Sequence, residues 1–166
     1  MARVGEGLSF VRMKRWWALA GFAGVVAGAA LVGGVAQKVS RAWYRTLRKP
    51  AFTPPDWIFG PVWSGLYALM AASAWRVWRQ PPSPERSRAL ALWGAQLAAN
   101  AAWTPLFFGA RRPAWALADL ALLVAGIGAY VSEARKVDRA AAWMMVPYAA
   151  WSAFAGALNE EIVRLN

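Results

Sequence analysis

The side chains of this chain that can do chemistry are indoles, phenols, a few amides and a single deeply placed carboxylate. Its 166 residues include no cysteine and no histidine, but twelve tryptophans and four tyrosines. That composition excludes a disulfide framework, a thiolate nucleophile and a Ser-His-Asp relay. It also excludes a zinc site of the usual nitrogen and sulfur kind and a histidine for axial haem ligation. What remains is recognition by flat aromatic surfaces and hydrogen bonds. The spacing gathers these groups onto helical faces. Gln96, Asn100 and Trp103 fall at i, i+4 and i+7; Phe59, Trp63, Tyr67 and Met70 form a second face; Tyr148, Trp151, Ala155 and Asn159 form a third. Trp115 and Asp119 lie one turn apart.

Depth separates the tryptophans into two sets. Trp16, Trp17, Trp75, Trp78 and Trp143 suit the aromatic belts found where a bilayer meets water. Trp63, Trp103 and Trp151 lie several residues inside apolar runs. Three indoles on inward faces beside an amide describe a flat, apolar pocket with hydrogen-bonding groups. Gln96, Asn100 and Asp119 read either as pocket groups or as interhelical bonds, each worth about 0.6–2 kcal/mol. An intramembrane carboxylate such as Asp119 is expected to face the bundle interior or a cavity.

The elements that must position these residues are five runs, 16–36, 57–75, 89–110, 113–132 and 140–159, in which Asp119 is the only formal charge. A bilayer core is roughly 30 Å thick and a helix rises about 1.5 Å per residue, so each run is long enough to cross. The expected fold is all-α: one membrane domain, residues 1–166, built as a bundle of five transmembrane helices. Arg12, Lys14 and Arg15 before the first run resemble the start of a secretory signal, but the run exceeds a signal core and is read as a retained helix. Pro61, Pro105 and Pro147 each remove a backbone donor within a run. The connection 37–56 is long and aromatic, carrying Trp43, Tyr44, Leu47 and Phe52, and reads as a lid. Arg111-Arg112 is so short that the third and fourth helices must be antiparallel neighbours. Small faces at Gly21, Gly24 and Gly28 and at Ala95, Ala98, Ala99 and Ala102 suit close helix approach, in a homodimer or within the bundle.

The net charge of +11 sits in caps and loops, where it meets lipid headgroups rather than nucleic acid. Eleven Lys and Arg lie on the side of the N-terminus and eight on the other, which favours a cytoplasmic N-terminus.

Three long motifs resemble the tryptophan-rich sensory protein family, also known as TspO or translocator proteins. They are Trp43-Tyr44-x-x-Leu47-x-Lys49-Pro50-x-x-Thr53-Pro54-Pro55-x-Trp57-x-Phe59-Gly60-Pro61-Val62-Trp63, the run from Gln96 to Gly109, and Val146-Pro147-Tyr148-x-x-Trp151-x-x-Phe154-Ala155-x-x-Leu158-Asn159. The resemblance implies a five-helix bundle, usually a homodimer, with a pocket beneath the long first loop. It implies ligands such as protoporphyrin IX and haem, sterols, and benzodiazepine-type drugs, with no required cofactor and no metal site. By motif position, Tyr44 belongs to the lid. Trp63 and Trp151 are the paired pocket indoles, Asn100 and Trp103 line the third helix, and Ala155 is the small pocket residue of the fifth. Phe59, Tyr67, Asp119 and Tyr148 complete the expected ligand-binding set. The Ala, Arg, Gly and Trp bias and the absence of a tail after Asn166 suit a bacterial member, in the cell membrane.

Two functions are implied by the resemblance. The first is a membrane receptor or carrier of porphyrins with a sensory or tetrapyrrole-regulating role, in which Lys38, Arg41, Arg45, Arg48 and Lys49 meet the propionates. The alternative is an enzyme that degrades porphyrin under light and oxygen, with Trp63 and Trp151 as the catalytic electron donors. Proton-coupled transport ranks last, since it ordinarily uses more than one buried ionisable group. One departure stands out. In Leu158-Asn159-Glu160-Glu161-Ile162-Val163-Arg164 a carboxylate, Glu160, occupies the aromatic position of the family's sterol-recognition pattern, which lowers the expected sterol affinity.

Overall fold

A computed structural model describes residues 2–166, with side chains from residue 16 onward except those of Ala36 and Val39. The side chains of Arg12, Lys14 and Arg15 therefore lie outside the described residues. The chain runs α1 (Ala2–Val39), α2 (Arg41–Thr46), α3 (Asp56–Trp78), α4 (Pro84–Thr104), a π-helical turn (Pro105–Gly109), α5 (Pro113–Val137), α6 (Arg139–Met144) and α7 (Val146–Leu165). No strand occurs among the described residues, and the fold is all-α.

Local chemistry sets most boundaries. Ser83 caps α4 by accepting from the Arg86 N–H at 3.1 Å, with Pro84 at the first helical position, where its missing donor costs nothing. Asp138 caps α6 through the Ala141 N–H at 3.0 Å. Two prolines reshape runs that read as single helices. Pro105 ends the α-pattern of α4 and opens the π-turn, in which the Ala110 N–H reaches the Pro105 carbonyl at 2.8 Å. Pro147 has no N–H to return to the Trp143 carbonyl, and the expected 140–159 helix is broken at Met145 into α6 and α7. Pro61 is absorbed within α3 without a break.

The helices form a closed ring. α1 packs on α3 and α4, α4 on α5, and α5 on α7; α3 meets α6 closely and α7 only slightly. The α3–α7 seam is thus shut at the α6 end and looser towards the 40–55 loop. Gly126 lets α5 close on α4: a Cβ there would stand 3.3 Å from the Gln96 Cβ. Met70, Val77, Leu123, Ile127, Tyr130 and Tyr148 fill the centre of the main core. A second cluster, Phe107, Phe108, Ala116 and Ile162, receives Trp43, Tyr44 and Leu47 from the loop.

The outside of the bundle is apolar. Leu31 and Leu122 are each 71 % exposed, and Trp57, Trp115 and Val35 also face outward. Two described helices, over Trp16–Val35 and Pro113–Val137, are by length and composition long and apolar enough to cross a bilayer.

Candidate functional site

α3 and α7 run antiparallel, and their facing aromatics meet as a ladder. Trp63 touches Tyr148 edge-on at 6.2 Å, Phe59 touches Trp151 at 5.8 Å, and Phe52 from the loop touches Phe154 at 6.3 Å. Along each rail the rings also meet: Trp63 lies 5.4 Å from Tyr67, and Trp151 lies 5.5 Å from Phe154. Side chains rather than backbone close this seam. Trp63, Tyr67, Trp151 and Ala155 are half-buried and pack against the main core, so each offers part of its surface outward.

Behind the ladder lies a polar layer. The Tyr67 hydroxyl donates to the Asn100 Oδ1 at 3.3 Å, joining α3 to α4. The fully buried Tyr148 lies beside Asn100 and Ser152 and faces Tyr67 and Asp119. Yet the Tyr148 hydroxyl, the Ser152 Oγ, the Trp103 Nε1 and the Asp119 Oδ2 are buried and make no hydrogen bond within the protein. An unpaired buried polar group costs about 1–3 kcal/mol. Of eight such atoms among the described residues, the Tyr148 and Ser152 oxygens lie on the helix that carries one rail of the ladder, and the Asp119 carboxylate faces Tyr148. Among the described residues no cluster of three or more carboxylates stands ready for a metal ion.

The loop covers this region from one end. The Ser40 Oγ donates to the Phe108 carbonyl at 2.6 Å. Tyr44 packs on Phe108 at 5.3 Å and Phe107 at 6.2 Å, and Lys49 sets its ammonium 4.1 Å above the Tyr44 ring. Burial, and then the nearby Asp56 carboxylate, raise the Tyr44 phenol above its ordinary pKa of 10.0. At the far end of the loop the Asn166 amide pairs with the backbone of Arg48. Its Oδ1 accepts the Arg48 N–H and its Nδ2 donates to the Arg48 carbonyl, both at 3.0 Å.

The sequence-derived site residues are therefore only partly gathered. Trp63, Tyr67, Asn100 and Tyr148 are linked by direct contacts, Phe59 and Trp151 touch each other, Asp119 faces Tyr148, and Ala155 packs against the main core. Trp103 stacks on Phe107 at 5.1 Å and joins the ladder's core to the lid cluster. Tyr44 sits one layer away, on the π-turn rather than against the indole pair. Phe52, expected only as part of the lid, meets the ladder through Phe154, and Phe154, Phe107, Phe108 and Ser152 are residues of this region that the sequence reading does not single out. Ser152 lies one turn from Tyr148 on the same helical face, which is the signal that identifies it.

Comparison with known proteins agrees with this architecture. The family model described as TspO/MBR family matches residues 21–165. A translocator protein of Bos taurus is 45 % identical over 120 residues, 70 % of each chain. The translocator protein of Homo sapiens is 43 % identical over 127 residues, 75 % of each chain. A tryptophan-rich sensory protein of Cereibacter sphaeroides is 41 % identical over 124 residues, covering 75 % of this chain and 77 % of that one.

Proposed function

The chain belongs to the TspO/MBR family of helical membrane proteins, and on that basis we propose that it is a receptor or carrier that binds porphyrins at the α3–α7 seam. The observation that carries this reading is the antiparallel ladder Trp63/Tyr148, Phe59/Trp151 and Phe52/Phe154, backed by unpaired polar atoms. A planar macrocycle offers two π-faces to indoles and phenols, and pyrrole N–H groups to buried acceptors such as the Asp119 Oδ2. Its propionates suit Lys49 and the exposed Arg45 at the loop. The names of the relatives, translocator and sensory protein, accord with carriage or sensing.

We further propose that the five long helical segments each cross the membrane. The apolar exterior supports this, since monomeric soluble proteins seldom expose such surface. A homodimer is the expected assembly: Gly21, Gly24 and Gly28 have open space around them, so the α1 small face is not consumed within the protomer. Sterol affinity is expected to be low, given exposed Glu160 in the aromatic position of the sterol pattern.

The test is a titration of the full chain in nanodiscs with protoporphyrin IX, followed by tryptophan fluorescence quenching. Trp63→Phe and Trp151→Phe should each weaken binding by about 1–2 kcal/mol, roughly tenfold. Unchanged affinity in both folded variants would remove the ladder from the site. The same samples under light and oxygen separate binding from degradation. A conserved Soret band marks a receptor or carrier; its loss, slowed in either variant, marks an enzyme using these indoles.

A further inference from the structure

The opposite end of the bundle, where α3 and α5 end and α4 and α6 begin, carries seven cations, Arg76, Arg79, Arg86, Arg88, Arg135, Lys136 and Arg139. Most of them are engaged. Arg76 pairs with Asp138 at 3.0 Å, Arg88 with Glu85 and Glu133 at 2.8 and 3.3 Å, and Lys136 with Glu133 at 2.5 Å. Arg79 lies 4.4 Å over the Trp75 ring. Arg135 and Arg139 differ: both are exposed, and among the described residues neither has an ion-pair partner. They line one open cleft of about 250 Å³ together with Trp143. Trp143 is 69 % exposed and lies one turn beyond Arg139 on α6.

We propose that Arg135, Arg139 and Trp143 form a binding site for the phosphate of an anionic phospholipid in the adjoining leaflet. Guanidinium groups grip phosphate oxygens bidentately, and two of them around one cleft match a phosphodiester whose headgroup brings no cation of its own to offset its charge. Basic pockets at the membrane face of helical bundles are suited to such headgroups. The exposed indole distinguishes lipid from free phosphate. An inorganic anion has no use for an apolar ring at the cleft wall, whereas the glycerol and first acyl carbons of a lipid lie where an interfacial tryptophan sits. The three acidic residues of this face are all committed to Arg76, Arg88 and Lys136, so none neutralises the cleft. The inference is independent of the porphyrin reading.

The test uses the full chain in phosphatidylcholine vesicles doped with phosphatidylglycerol bearing brominated acyl chains. Bromine quenches nearby indoles, and the Trp143 share is the difference from Trp143→Phe. Quenching of Trp143 should favour the brominated anionic lipid over brominated phosphatidylcholine by roughly tenfold, and the preference should fall to about parity in Arg135→Gln/Arg139→Gln. Arg112→Gln, exposed at the other end, should keep the full preference. The double Arg→Lys variant should retain an intermediate preference, which shows that the altered chain is folded. A preference that survives the double glutamine variant overturns the site. Abolition of the preference by inorganic phosphate at matched ionic strength overturns the lipid as occupant.

Discussion

The two ends of the α3 helix are held in opposite ways. Near its C-terminus side-chain hydrogen bonds and an ion pair tie α3 to α5 and α6, although the Arg76 Nε stays unpaired. The Ser73 Oγ bonds the Tyr130 hydroxyl at 2.6 Å and the Ala141 carbonyl at 2.7 Å, while Asp138 takes Arg76, Gln80 and the Ala141 N–H. Near its N-terminus α3 meets α7 through rings alone, with the Tyr148, Ser152 and Asp119 oxygens unpaired behind them. Satisfied networks rigidify, and unsatisfied ones are the groups a ligand stabilises. One end is a fastening and the other the seam proposed to receive a ligand, and the same helix supplies both.

Asp138→Ala attacks the fastening and should have the largest effect. It removes a helix cap and a nearly buried ion-pair partner together, costing about 3 kcal/mol, read as a lower thermal midpoint in detergent. Porphyrin affinity at a temperature where the variant is folded should change little. Burial pushes the Asp138 carboxyl up, but the Ala141 N–H and Arg76 outweigh it and hold it below its ordinary pKa of 3.8. Its contribution is therefore present above about pH 4 and lost as pH falls through the lowered value. Acid should lower the midpoint of the wild type, and Asp138→Asn should flatten that dependence.

A pair of phenol deletions probes each end with the same chemical change. Tyr130→Phe breaks a made hydrogen bond and should destabilise by about 1–2 kcal/mol. Tyr148→Phe removes a buried hydroxyl with no partner and should leave the ligand-free protein unchanged or up to about 1 kcal/mol more stable, while weakening porphyrin binding. Equal losses in the two variants would erase the distinction between the ends.

Asn166→Ala should act chiefly on the lid, since its other bond, to the Ile162 carbonyl, lies within its own helix end. Losing both bonds to the Arg48 backbone should cost about 1 kcal/mol and speed porphyrin dissociation several-fold, with faster proteolysis within residues 47–53. Tyr44 gives a smaller effect of its own. Its raised phenol pKa means that lid packing holds below about pH 10 and weakens as pH rises through the folded value. Tyr44→Phe should remove that alkaline step in dissociation rate.

Much of this was legible in the sequence because it depends on period alone. The faces Phe59-Trp63-Tyr67 and Tyr148-Trp151-Ala155 arise from helical spacing, and the all-helical class arises from the uncharged runs. Which ring meets which is not given that way. The Trp63–Tyr148 contact depends on the order of helices around the ring and on the rotation of each, and neither is written in one helix's pattern. Pro105 and Pro147 mark the two breaks, but proline alone does not say that one becomes a π-turn and the other a clean interruption, while Pro61 makes neither. The Arg48–Asn166 pairing spans 118 residues of chain and leaves no local trace. Tyr44 was legible as a lid residue, but its seat on Phe107 and Phe108 exists only because the π-turn buries both rings.

That turn makes the chain sensitive to length. A π-turn closes its hydrogen bond over one residue more than the α-helix does. Here the extra residue brings consecutive rings, Phe107 and Phe108, into one cluster that also holds Trp103 and the lid. Deleting any one residue between 105 and 109 would restore regular winding and rotate the residues beyond it by about 100°. Phe108 would leave the lid's seat, and Arg111, which takes a left-handed φ of 54° to end the segment, would point elsewhere. Length variation at this position is therefore a sharper bar than substitution: a change of side chain alters the cushion, whereas a change of length removes it.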